Sequence, residues 1–152
     1  FDNFVEYNRN PTNYKIHKIK FSTGVCFGGC PVFSLELDKN EDSKFYAEYY
    51  NFDRSKKNKK FKKEDKNFAA KINPEDFLQI VEILNYLNFS ELKDDYKVNG
   101  DDFQSSTLSI EYGIGEKKII RDYGLVGTYG LKLLYKKLFD LRFNQNWKKS
   151  KK

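Results

Sequence analysis

The sequence predicts an α+β domain: a mostly antiparallel sheet of about six strands with two helices packed on one face, in the order β-β-β-β-α-β-β-α. Three observations predict it. Several short stretches alternate apolar and polar residues with period two. Two longer stretches repeat apolar residues at helical spacing behind a capping residue. The strand-to-strand links are short enough for hairpins, which favours antiparallel pairing.

Residues 1–13 are polar and Asn-rich, with Pro11, and form an expected N-terminal extension to a single domain over 14–147. From Tyr14 to Ser22 the pattern alternates, with His17, Ile19 and Phe21 on one face and Lys18, Lys20 and Ser22 on the other. A lone histidine at that parity is expected to be a partly buried core residue with one hydrogen bond. After a glycine- and cysteine-bearing loop, Phe33, Leu35 and Leu37 alternate with Ser34, Glu36 and Asp38. Lys39–Asp42 is a turn into a third strand, 43–52, rich in Phe and Tyr, so the second and third strands should form a hairpin. A lysine-rich stretch follows, then a short strand over 67–72.

Asn73-Pro74-Glu75-Asp76 is a helix start: Asn caps, Pro fits the first helical position, and two acids face the positive end of the dipole. Phe77, Ile80, Val81, Leu84 and Leu87 carry the helical period through about Phe89. An acidic loop, 90–105, leads to an alternating strand, 106–112. Gly113–Glu116 turns it into a strand over 117–123. Thr128 is the expected cap of a second helix, whose stripe is Leu131, Leu134, Tyr135, Leu138 and Leu141. Residues 148–152 are an expected basic tail.

Composition bounds the function. At 152 residues, with 14 Phe and 11 Tyr, the chain can bury a core despite 33% charged residues. It contains no apolar run of transmembrane length. It begins at Phe1 and contains no Met, so removal of an N-terminal segment is expected, with an export or lipoprotein signal as one source. The net charge of +6 is unevenly spread: residues 54–66 carry +6 and the four tail lysines +4, leaving −4 for the remainder.

The densest chemistry lies in Gly24-Val25-Cys26-Phe27-Gly28-Gly29-Cys30-Pro31, which holds both cysteines. Two thiols four residues apart can bridge only if the chain folds back between them, which Gly28-Gly29 permits. A short disulfide, two reduced structural thiols and a redox pair all remain open. The spacing has three intervening residues where the thioredoxin-like motif has two. A zinc or iron–sulfur site would need more ligands than two cysteines and the single His17 provide, so no metal and no cofactor is expected.

Other motifs fail on inspection. Gly24 and Gly29 have P-loop spacing, but Cys30-Pro31 replaces the Lys-Ser/Thr and leads into a strand. Gly124, Gly127 and Gly130 lack the dinucleotide-binding spacing. Glu91, Asp94, Asp95, Asp101 and Asp102 do not align on an EF-hand, since Lys97 and Ser106 fall at ligand positions. Lys56, Lys57, Lys59, Lys60, Lys62 and Lys63 are candidate polyanion contacts; nucleic acid is not a favoured partner, and attraction to anionic lipid headgroups is comparable.

The loop string, with Cys26, Phe27, Gly28, Cys30, Pro31 and Phe33 in register, resembles the bacterial family described as domain of unknown function 6438. That family's pattern is a Gly-Cys-Phe-Gly-x-Cys-Pro-x-Tyr/Phe loop between its first two strands. Val25 stands here at the place of the first glycine, with Gly24 one position earlier. The resemblance runs from about residue 15 to 147 and takes in the Pro74–Phe77 helix start, the loop around Asp94–Asp102 and a terminal helix ending near Trp147. It implies an exported or lipid-anchored protein and supplies no activity, cofactor or catalytic residue.

The resulting expectation is a non-enzymatic structural or ligand-binding module of the bacterial cell envelope, with an envelope protein as a possible partner. Its working part would be the loop Cys26, Phe27, Gly28, Gly29, Cys30 and Pro31. It would be periplasmic, tethered to the outer membrane or secreted, with a cytoplasmic location as the alternative. Two rivals are a small thiol-dependent redox enzyme using Cys26 and Cys30, and a polyanion binder acting through the lysines.

Overall fold

The computed structural model describes residues 10–52 and 65–150. The expected extension before residue 10 and the candidate contacts Lys56–Lys63 lie outside the described residues. Eight strands form one mixed sheet: β1 Ile16–Thr23, β2 Val32–Asp38, β3 Ser43–Tyr49, β4 Asn67–Ala70, β5 Asp95–Lys97, β6 Ser105–Tyr112, β7 Glu116–Tyr123 and β8 Lys148–Lys149. Their order across the sheet is β5-β7-β6-β1-β2-β3-β4-β8. Every neighbouring pair is antiparallel except β5 and β7, which run parallel. Two helices, α1 Pro74–Tyr86 and α2 Tyr129–Asn144, complete the α+β fold.

Two details of the expected sheet are corrected: it has more than six strands, and it is mixed. Both additions are short edge strands. β5 sits in the stretch read as an acidic loop, and β8 begins where the basic tail was expected. Lys148 and Lys149 pair with Ala69 and Phe68, and the Ser150 amide donates to the Asn67 carbonyl. Lysine at a sheet edge discourages pairing with a foreign strand.

The alternating strands bury one face. Ile19, Phe21, Phe33, Leu35, Leu37, Phe45, Leu108, Ile110 and Ile120 join Ile80 and Leu84 of α1 and Leu131, Leu134 and Leu138 of α2 in a single apolar cluster. Rings carry much of it: Phe21 packs on Tyr135 and Phe139, and Phe45 on Phe68 and Trp147. The opposite face is polar. There Glu36 lies 3.6–3.8 Å from the amines of Lys18, Lys20 and Lys44, and Asp38 lies 3.8 Å from Lys18.

His17 departs from its expected parity. A β-bulge between Ile16 and Lys18 inserts one residue, so Ile16 takes the buried position and His17 is exposed. Its Nε2 stands 2.7 Å from the Gly113 carbonyl, at the sheet end away from the cysteines. Both helix caps form where expected: the Asn73 side chain accepts from the Glu75 amide, and Thr128 from that of Leu131. The first helix stops at Tyr86, short of Phe89, because Asn88 adopts a left-handed conformation (φ 53°).

Candidate functional site

The loop between β1 and β2 is fixed at its neck before any cross-link is considered. The Thr23 hydroxyl donates to the Pro31 carbonyl (2.9 Å) and accepts from the Phe33 amide (3.1 Å). The Gln104 amide nitrogen donates to the Gly24 carbonyl (3.2 Å) and the Pro31 carbonyl (2.6 Å). Backbone bonds then lay the loop along the segment that enters β6: Gly24 N–H donates to Ser105 O, and Phe27 N–H to Asp102 O. A Cβ on Gly24 would meet the Ser105 hydroxyl at 2.8 Å, so this close approach suits glycine.

Cys26 and Cys30 stand at disulfide distance, with Cα atoms 5.8 Å apart. The reversal between them uses Gly28, at φ +121°; Gly29 adopts no positive φ. The fold-back therefore needs one glycine of the pair.

This geometry turns apolar side chains outward. Phe27 is 85% exposed and Val25 69%. Tyr49 and Tyr50, at the end of β3, stand beside them; Tyr50 is 68% exposed and itself left-handed (φ 57°). Together with Val32 and the two cysteines, the tyrosines line a shallow open pocket of about 260 Å³. None of the side chains lining it is charged.

Beneath the pocket lies a polar support. Asn51 donates from Nδ2 to the carbonyls of Val32 (2.8 Å) and Tyr49 (3.0 Å), and accepts from Arg142 Nη1 (3.1 Å). Arg142 is buried, with its guanidinium carbon 4.6 Å from the ring centre of Phe33, 5.3 Å from Phe139 and 4.4 Å from Phe143. Burial pushes its pKa down to about 10, partly offset by Asp140, so it remains cationic at neutral pH. Among the described residues it makes no ion pair; the ring faces, the Asn51 amide oxygen and the Phe139 carbonyl, which accepts from Nε (2.9 Å), serve instead.

A second buried polar group is closed to solvent. Asp122 accepts from the Val126 amide (2.9 Å) and from the Tyr135 hydroxyl (2.8 Å). Burial first, then the Asp122 charge, pushes the Tyr135 pKa upward. The pair holds the loop before α2 and opens on no cavity described above.

The structure thus carries Cys26, Phe27, Gly28, Gly29, Cys30 and Pro31 on one loop and places Val25, Tyr49 and Tyr50 beside its cysteines. His17 lies at the other end of the sheet. The acidic residues of 91–102 do not converge: Asp94 pairs with Lys118 at 2.7 Å, while Asp102 lies under the cysteine loop. Among the described residues, no group of three or more His, Cys, Asp or Glu could hold a metal ion, and no helix is long and apolar enough to cross a membrane.

Sequence reasoning missed Tyr49, Tyr50, Asn51, Gln104 and Arg142. Arg142 alone left a signal, four residues after Leu138 on the apolar stripe of α2. The others act across 73–91 residues of chain, or from strand ends that look like any other.

A family model described as domain of unknown function (DUF6438) matches residues 17–142, and the chain belongs to that family. No curated protein matches it.

Proposed function

We propose that this DUF6438 domain is a non-enzymatic recognition module of the bacterial cell envelope whose working surface is the Cys26–Cys30 apex with Tyr49 and Tyr50. The observation that carries the reading is Phe27: an 85% exposed aromatic ring on a loop fixed at its neck, along its flank and between its cysteines. Holding an apolar contact group in place before the partner arrives removes an ordering cost from binding. Aromatic anchors of this kind dominate recognition surfaces.

A disulfide of this sort persists in an oxidising compartment, which supports export. The redox rival is less well supported. A reactive thiol needs a cation or a helix N-terminus beside it, and the pocket lining offers valines, tyrosines and glycine.

The test is site-specific photo-crosslinking in cells producing the full chain, with a photoreactive phenylalanine analogue at position 27 or, as a control, at position 114. Ile114 is 99% exposed at the opposite end of the sheet. Adducts at 27 that vanish in a Cys26→Ser, Cys30→Ser variant, with none at 114, are expected. Equal adducts at both positions, or none at 27, would overturn the reading.

A further inference from the structure

We propose that the outer face of the two helices, away from the cysteine loop, is the self-contact of a reversible two-fold dimer. The helices share one apolar cluster with the sheet and pack on each other. Gln145, just past α2, donates to the Asp76 carboxylate and accepts from the Asn73 amide, so the end of α2 meets the start of α1. The buried stripes are Phe77, Ile80 and Leu84 on α1 and Leu131, Leu134 and Leu138 on α2.

The opposite stripes are not the purely polar faces that a solvated helix presents. On α1, Leu78, Glu82 and Tyr86 recur every four residues, and Leu78 is 56% exposed. On α2, Tyr129, Leu133 and Lys136 follow one another at helical spacing, with Tyr129 63% and Leu133 57% exposed. A lone exposed apolar side chain is ordinary, but here two packed helices each carry a stripe of them, and exposed Phe143 extends the second.

Charge selects the occupant. Over residues 74–86, α1 carries Glu75, Asp76 and Glu82 and no base. α2 exposes Lys132 and Lys136 against Asp140, and the Lys132 ammonium lies 5.7 Å from the Tyr129 ring centre. None of Glu75, Glu82, Lys132 and Lys136 forms an ion pair among the described residues. In a two-fold contact, α1 meets either its own equivalent or the α2 of the other copy. The first arrangement stacks acid on acid and base on base. The second pairs acid with base twice, once in each half. A partner of one charge sign matches one helix and opposes the other, whereas a second copy matches both. At 13 and 16 residues the helices are about 20 and 24 Å long. A contact of that extent is at the small end of specific interfaces, with a Kd on the order of tens of micromolar.

The experiment is sedimentation velocity of the full oxidised chain over about 1–500 µM. It includes two charge-reversed chains, Glu75→Lys with Glu82→Lys and Lys132→Glu with Lys136→Glu. The unsubstituted chain should dimerise. Each reversed chain alone should lose roughly tenfold or more in self-affinity, and an equimolar mixture of the two should recover the dimer, because their faces complement each other. Leu133→Ser should weaken the dimer roughly tenfold while Ile114→Ser leaves it unchanged. Near-ultraviolet circular dichroism checks that each variant is folded, and Tyr129→Ser takes the place of Leu133→Ser should that chain fail. A chain that stays monomeric throughout overturns the proposal and leaves the helix face to a different partner. A dimer indifferent to these substitutions overturns it by placing the contact on another face. Reversed chains that do not recover the dimer on mixing overturn the pairing of α1 with α2.

Discussion

Gly28 and Arg142 are ordinary residues in the sequence whose roles come from where the chain puts them. At φ +121°, Gly28 occupies backbone space that side chains rarely enter, whereas Gly29 does not. Gly28→Ala should therefore cost about 1–2 kcal/mol in urea unfolding, and Gly29→Ala much less than 1 kcal/mol. Arg142 is a different case: a buried cation with no ion pair among the described residues, stabilised by three ring faces, the Asn51 amide oxygen and the Phe139 carbonyl. Arg142→Ala loses the packing of the long side chain and strands the Asn51 oxygen, and should destabilise by about 2–4 kcal/mol. Arg142→Lys should recover only part of this, since an ammonium cannot lie flat between rings while donating to Asn51. Parallel urea titrations of the two variants test both statements.

At the scale of elements, the β2–β3 turn gives a pH dependence with a definite sign. The Asp38 carboxylate accepts from the amides of Asn40 and Glu41, and those bonds hold its pKa below its ordinary value. The folded state thus binds this proton less tightly than the unfolded chain. The stabilisation is present above the unfolded value and is lost as pH falls through the lower native one. Asp38→Asn keeps an acceptor and removes the titration. Between about pH 6 and pH 2, its urea midpoint should fall less than that of the unsubstituted chain. An equal fall in both would place the acid sensitivity elsewhere, for instance at Asp94, whose pKa Lys118 also lowers.

Elements also show what can be read from sequence. The helix starts were legible because a cap and its amide lie two or three residues apart, as at Asn73 and Thr128. The end of α1 was not, because Phe89 remains buried after the helix has stopped, so the apolar period outlives the helix. β5 and β8 are three and two residues long, too short to show alternation, and their neighbours in the sheet supply the pairing. His17 misled because one inserted residue reverses every parity before it. The cysteine loop was legible from its own residues; its tyrosine flank and its Arg142–Asn51 support are tertiary and left no local pattern.

For the whole molecule, the question is where the domain closes. The family match ends at residue 142, yet the core does not. Trp147 is fully buried against Phe45, its indole N–H donates to the Leu141 carbonyl (2.8 Å), and β8 then pairs with β4. The chain's last described turn therefore locks the far edge of the sheet to the end of α2. Trp147→Ala removes one of the largest fully buried side chains, at a cost of about 3–5 kcal/mol, a large share of the stability of a domain this size. Trp147→Phe keeps most of the volume but loses the indole bond, and should cost clearly less. A chain ending at residue 142 should lose Trp147, β8 and the Gln145 bonds to Asn73 and Asp76 together. It should unfold at much lower urea than either substitution, even though it contains every residue the family model matches. Urea unfolding of the four chains side by side decides the matter. A truncated chain as stable as the full one would mean that the last residues merely decorate a fold already closed at Arg142.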